Sequence, residues 1–167
     1  MQRAKEVPGR PMGTITNVLL ALIFVATGCR TLPPLPPANL SEPGWKVRQG
    51  QAVWKSGRDK PEIAGELLLA TKPDGNEFVQ FTKTPFPLAI SRQATNHWEV
   101  NFPTENKRYS GLGIPPKRLI WFWLADGLAG KLTPEKWLWR QDQNGWYLEN
   151  RANGEWLEGY FTSNDTP

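Results

Sequence analysis

From Trp45 onward, apolar side chains alternate with polar ones at a period of two. His97-Trp98-Glu99-Val100-Asn101-Phe102 is the sharpest case: Trp98, Val100 and Phe102 fall on one face of an extended segment, and His97, Glu99 and Asn101 on the other. Such a segment is a strand with one buried and one wet face. Residues 45–56, 63–71, 77–83 and 87–94 read as strands on the same grounds, and 135–142, 145–151 and 155–161 as a C-terminal meander. Asp74-Gly75, Asn144-Gly145 and Asn153-Gly154 lie between these apolar stretches and accept positive φ, as two-residue hairpin loops require.

One stretch breaks this rhythm. Pro115 and Pro116 open a segment in which Leu119 to Leu124 are six successive apolar residues, followed by Gly127 and Gly130. Proline suits the first turn of a helix and glycine its end, which predicts about three helical turns over 115–128. Apolar side chains in every direction require burial on nearly all sides. A buried strand competes, because Ile, Trp and Phe favour strands and periodicity does not separate the two. The expected fold is therefore mainly β, in the α+β sense: a curved antiparallel sheet of about eight strands forming an incomplete barrel, with one apolar helix as plug or lid. A concavity lined by Trp, Leu and Phe is either filled by that helix or left as an apolar pocket.

The chain before Trp45 has a different logic. A basic start, the nine apolar residues Val18 to Ala26, and Thr27-Gly28-Cys29 read as the n-region, h-region and cleavage site of an export signal over residues 1–28. Nine residues fall well short of the roughly 20 that span a bilayer as a helix. Small residues directly before the cysteine resemble the lipobox of bacterial lipoproteins. The resemblance implies a diacylglyceryl group and an N-acyl chain on Cys29, and it implies no other cofactor. Ala26 stands where that pattern usually has Leu, and Arg30 rather than Asp follows the cysteine, which permits outer-membrane residence facing the periplasm. Leu32-Pro33-Pro34-Leu35-Pro36-Pro37-Ala38 lies in a tether spanning 29–44; its prolines lack donors and fix φ, so it reads as an extended spacer holding a domain at 45–162 off the bilayer. Residues 163–167 form a polar tail.

Composition narrows the function. Nine Trp, seven Phe and three Tyr in 167 residues make aromatic rings the dominant core material. The formal charge of +4 includes Arg3, Lys5, Arg10 and Glu6; without residues 1–28 the chain carries 17 basic against 15 acidic side chains, too mild a balance for nucleic acid. Cys29 is the sole cysteine and His97 the sole histidine, so neither an internal disulfide nor a multi-histidine metal site can be built. His97 belongs to the polar face of its strand. Ser110-Gly111-Leu112-Gly113 lacks the spacing of a serine-hydrolase elbow or a phosphate-binding loop and reads as turn. Glu155 and Glu158 point to opposite faces of one strand and cannot act as a glycosidase pair. A non-catalytic protein is expected.

The order of features has a family resemblance. The cysteine motif, the linker, a first strand Trp45 to Val53, the loop Thr84-Pro85-Phe86-Pro87-Leu88, and Gly113-Ile114-Pro115 running through an apolar segment to Gly127-Leu128 resemble the LolA/LolB-like group of lipoprotein-localisation proteins over most of 45–161. That resemblance implies an incomplete barrel whose apolar cavity accepts the acyl chains of lipoprotein cargo from a periplasmic carrier. It marks Phe86, with Leu88, as the loop that enters the membrane, where an exposed aromatic ring suits the lipid interface. Leu67, Leu69, Phe81, Trp121 and Trp123 are then the expected cavity lining. The segment from Tyr109 to Gly113 is shorter than in the family, and the chain stops soon after Phe161, which points to a smaller cavity. Two other readings stand beside this one: a glycan or peptidoglycan binder using Trp139, Trp146 and Trp156, and a structural envelope lipoprotein with a filled core that recruits a protein partner through a sheet edge.

Overall fold

The computed structural model describes residues 32–162. Residues 33–162 lie in one compact unit, whereas the expected export signal, Cys29 and the polar tail fall outside the described residues.

Nine strands form a single antiparallel sheet. They are β1 (Lys46–Lys55), β2 (Glu62–Thr71), β3 (Glu77–Lys83), β4 (Phe86–Ala94), β5 (His97–Phe102), β6 (Lys107–Leu112), β7 (Trp137–Gln141), β8 (Trp146–Asn150) and β9 (Glu155–Phe161). The strand order β6-β5-β4-β3-β2-β1-β9-β8-β7 joins two meanders through the β1–β9 pair and leaves β6 and β7 as edges, so the sheet is not closed. Glycine makes the junction feasible. Gly50 opposes Phe161 and Gly159 opposes Ala52, and a Cβ at either glycine would strike backbone of the partner strand.

Alternation places the core. Ala52 and Trp54 of β1, Leu67 and Leu69 of β2, Val79 and Phe81 of β3, Val100 and Trp98 of β5, Leu148 and Trp146 of β8 and Leu157 of β9 occupy the inner face and are buried. Each large side chain taken fully out of water contributes about 1.5–3 kcal/mol, so this face supplies most of the driving force.

Three expectations need correction. A ninth strand, β6, occupies Lys107–Leu112, where Ser110 and Gly111 had read as turn. Gly111 is there for packing, because a Cβ would come within 2.5 Å of the Trp98 ring it faces. The three hairpin loops expected from Asp74-Gly75, Asn144-Gly145 and Asn153-Gly154 are longer than two residues: Asp74-Gly75 sits in a connection closed by Lys72 and Asn76, and Gly145 lacks the positive φ that Gly75 and Gly154 adopt. The three-turn helix over 115–128 is absent. A 3-10 turn (Ile120–Trp123) leads into one short helix, α1 (Leu124–Leu128), and Leu119 before it has φ −104° and ψ 88°.

The short turn explains itself through its side chains. Trp121 meets Trp54 and Phe81 at ring distances of 5.1 and 5.5 Å, Phe122 meets Trp98 at 5.8 Å, and Trp123 meets Trp137 at 5.5 Å. Three successive rings thus reach β1 and β3, then β5, then β7. Tertiary packing decides the conformation here, over helix propensity.

Candidate functional site

The expected cavity residues do come together. Leu67, Leu69, Phe81 and Trp121 are buried in one core cluster, and Trp123 packs half-buried against it. They touch one another and the residues of 119–128, so in this conformation that segment occupies the place where a ligand pocket was expected.

The polar atoms of this inner face are poorly matched. The indole N–H groups of Trp98, Trp121 and Trp146 are buried without a hydrogen-bond partner, as is Oε1 of Glu77. Burial pushes the Glu77 carboxyl well above the usual range, and nearby Asp126 of α1 adds to the effect. Asp126 is itself raised by burial, with Lys131 pulling it back. Glu155 accepts a hydrogen bond from Trp54 Nε1 at 3.0 Å, yet burial dominates and pushes its carboxyl up to about 7. Glu155 lies on the inner face and Glu158 is exposed on the outer one, the separation that strand parity requires.

Phe86 stands at the tip of the β3–β4 hairpin, directly after the cis Thr84–Pro85 peptide, and is 63 % exposed. Leu88 does not share that tip: it is half-buried and packs on the core. The register slips between Phe81 and Thr82, where Ala89 and then Pro87 lie opposite, and this turns Leu88 inward.

The outer face holds what sequence reading missed. Glu99, assigned by alternation to a wet face, is 2 % exposed. Arg92 Nη2 and Arg108 Nη2 pair with its two oxygens at 3.2 and 2.7 Å, and the backbone N–H of Leu35 donates to Oε2 at 3.1 Å. Arg92 also donates through Nη1 to the carbonyl oxygens of Leu35 and Pro36. The proline-rich segment is therefore seated on β4 and β5 at this point, in place of the free spacer expected. Further along, Lys72 pairs with Glu42 at 3.1 Å and lies over the Trp45 ring, which fixes the path into β1. The partnership of Leu35 with Glu99 spans 64 positions, beyond any local signal; a lone Glu flanked by valine and tryptophan in a strand was the one hint.

Elsewhere the outer face carries an open groove of about 830 Å³ running from β3 and β2 over β1 and β9 to β8 and β7, with Gln51, Glu66, Arg140, Tyr147, Glu158 and Tyr160 among its lining. Its polar groups answer one another. Tyr160 donates to Gln51 and Tyr147 to Glu149, Arg140 lies over the Tyr147 ring, and burial with Glu149 pushes the Tyr147 hydroxyl up to about 12. The three tryptophans considered for sugar stacking do not form an exposed platform: Trp139 and Trp146 are stacked, but Trp146 is 4 % exposed, and Trp156 stacks on Tyr147. His97 is half-buried, its Nε2 without a partner. Among the described residues no three His, Cys, Asp or Glu side chains gather as a metal site, and no helix is long and apolar enough to cross a membrane.

No model of a known protein family matches this chain, and no curated protein matches its sequence.

Proposed function

We propose that this protein is a non-catalytic lipoprotein, anchored through Cys29 to the outer membrane, whose half-barrel receives acyl chains of lipoprotein cargo. In this reading the sheet is an incomplete barrel, residues 119–128 are its lid, and the described conformation is the closed one. A periplasmic carrier would present the cargo, and Phe86 at its hairpin tip would enter the lipid interface as a chain passes.

The single observation that carries the proposal is the buried, unpartnered indole N–H of Trp121 between the lid and the apolar floor of Leu67, Leu69 and Phe81. A desolvated donor without an acceptor costs roughly 1–3 kcal/mol, and natural cores retain few. The ester or amide carbonyl at the head of an acyl chain is the acceptor that an otherwise greasy site would offer it. Opening the lid uncovers Ile120, Trp121, Phe122 and Leu124, all buried, so an acyl chain must replace their apolar contacts as it enters; the segment lies between Gly113 and Gly130, both at positive φ.

Native mass spectrometry of a chain lacking residues 1–29, produced in a lipid-containing host, tests this reading. Acyl-bearing species should co-purify and be displaced by medium-chain fatty acids. A lipid-free protein that refuses both fatty acids and hydrophobic dyes would end the carrier reading and leave a tethered scaffold.

A further inference from the structure

A second apolar tip lies far from Phe86. Leu112, the last residue of β6, is 63 % exposed, and Ile114 just beyond it is 81 % exposed, the highest value among the large apolar side chains of the described surface. Gly113 between them adopts φ +78° and donates its N–H to Asn96 O at 2.8 Å, so the excursion is held by the β4–β5 turn. Pro115 behind Ile114 is buried and fixes the far side of the tip.

Cations crowd the same loop. Lys117 and Arg118 follow within four residues of Ile114 and are exposed. The Lys117 carbonyl accepts from Asn150 Nδ2 and the Lys136 carbonyl from the Arg151 N–H, so the end of β8 draws Lys136 and Arg151 to the same place. Lys117 and Lys136 lie close enough that the second ammonium lowers the pKa of the first. Glu135 is the acidic residue beside them in sequence. Exposed Leu and Ile rimmed by Lys and Arg suit a bilayer surface, apolar tips entering the interface and basic stems reaching anionic headgroups.

The tether arrives at this edge. Glu99, which holds Leu35, is paired in register with Ser110; Leu112 is two residues further along β6 on the same outer face. A diagonal pair of this kind is about 7–8 Å apart. From Cys29 to Leu35 is six residues, which reach at most about 20–22 Å even when fully extended. Phe86 sits at the other end of β4, eight residues or about 26 Å from Ala94 beside this edge.

We infer that Leu112, Ile114 and the Lys117–Arg118 pair form the surface on which the folded unit rests against an anionic phospholipid bilayer, with the Glu99 clamp on Leu35 holding it there. The clamp component rests on lipidation of Cys29; the apolar and basic tip does not. The spacer length is consumed by docking, so the unit sits down on the membrane, and Phe86 reaches the lipid interface in a separate step, when cargo is delivered and the docked edge lifts.

The test uses the full chain, processed and lipidated in a bacterial host, reconstituted into vesicles of phosphatidylcholine alone or mixed with phosphatidylglycerol. Ile114→Cys carries an environment-sensitive fluorophore; Glu158→Cys, exposed on the outer face of β9, is the aqueous reference. Position 114 should show a blue-shifted emission, at least about threefold brighter than position 158 and quenched by brominated lipid, with more of it in phosphatidylglycerol vesicles. Lys117→Ser with Arg118→Ser should lower that anionic preference by roughly fivefold per cation. Flotation of the chain, with the mass of the Cys29 peptide, reports the anchor separately. A chain that floats with an aqueous fluorophore at 114 overturns the surface and spares the anchor. Should the Cys29 peptide carry no acyl mass, the measurement is repeated in a Cys29→Ser chain so that position 114 alone is labelled, and a fluorophore in lipid there spares the surface and overturns the anchor.

Discussion

The Glu99 site on the outer face and the core of the inner face treat buried polar atoms differently, although Arg92 Nε and His97 Nε2 on the outer face also lack a partner. On the outer face, Glu99 is as desolvated as a core leucine, and both of its oxygens are paired by Arg92, Arg108 and the Leu35 N–H. On the inner face, three indole N–H groups and a Glu77 oxygen have no partner, while Glu77, Asp126 and Glu155 are all pushed toward their neutral forms chiefly by burial. Compensated burial fixes one structure. Uncompensated burial is costly, and a face needed only for packing would do better with apolar side chains. The proposed acyl-binding role of the inner face would account for this difference.

The sharpest way to break that contrast is Glu99→Ala. It strands the half-buried Arg92 guanidinium without its carboxylate, and breaking a buried pair from one side costs about 3–5 kcal/mol. Chemical denaturation at neutral pH should register that loss, and limited proteolysis should cut residues 33–38 faster, because Leu35 loses its acceptor. Arg108→Ala should cost less, because Glu99 keeps Arg92 and the Leu35 N–H as partners. A loss under about 1 kcal/mol for Glu99→Ala would mean that the clamp is not architectural and the faces do not differ.

The inner face has the opposite response. Glu155 has a folded pKa of about 7 against 4.5 for the free side chain, so the folded state binds the extra proton between those values. Its contribution is therefore most favourable below about pH 4.5, declines as pH rises, and reaches its floor above about pH 7. Glu155→Gln keeps an acceptor for Trp54 without the charge. It should match the parent in stability at pH 4, and exceed it progressively up to pH 8 by as much as about 3 kcal/mol. Thermal denaturation at a series of pH values measures the divergence. Parallel curves would show that Glu155 is solvated in solution and that the inner face carries no such cost.

Why the sequence revealed one face better than the other follows from range. The side-chain parity of Trp98, Val100 and Phe102 is local, and these residues do share the inner face. The cover over Glu99 comes from Leu35, and no period along the chain encodes it. β6 was invisible for a related reason: Ser110 and Gly111 have poor strand propensity, and their extended form is imposed by pairing with β5 and by the Trp98 ring that fills the space a side chain would take. Residues 119–124 announced burial correctly but not conformation, because all-round apolarity fixes neither a helix nor a strand. Phe86 was singled out through the family resemblance of its loop, and it is exposed. The apolar tip at Leu112 and Ile114 was not legible, since Gly113-Ile114-Pro115 looked like the entry to a helix.

The finest test of the inner face compares two tryptophans that touch. Trp54 and Trp121 are both buried with ring centroids 5.1 Å apart, but only Trp54 has a partnered N–H, donated to Glu155 at 3.0 Å. Replacing either by Phe removes a similar volume from the same cluster, so the packing losses nearly cancel in the comparison. Trp54→Phe also removes a hydrogen bond to a buried carboxyl, whereas Trp121→Phe removes a donor that was satisfied by nothing. Trp54→Phe should therefore be the more damaging by about 1–2 kcal/mol in urea denaturation. Equal losses would mean that the Trp121 N–H has found an acceptor in solution, and the face would then be a satisfied core with no demand for a carbonyl from outside.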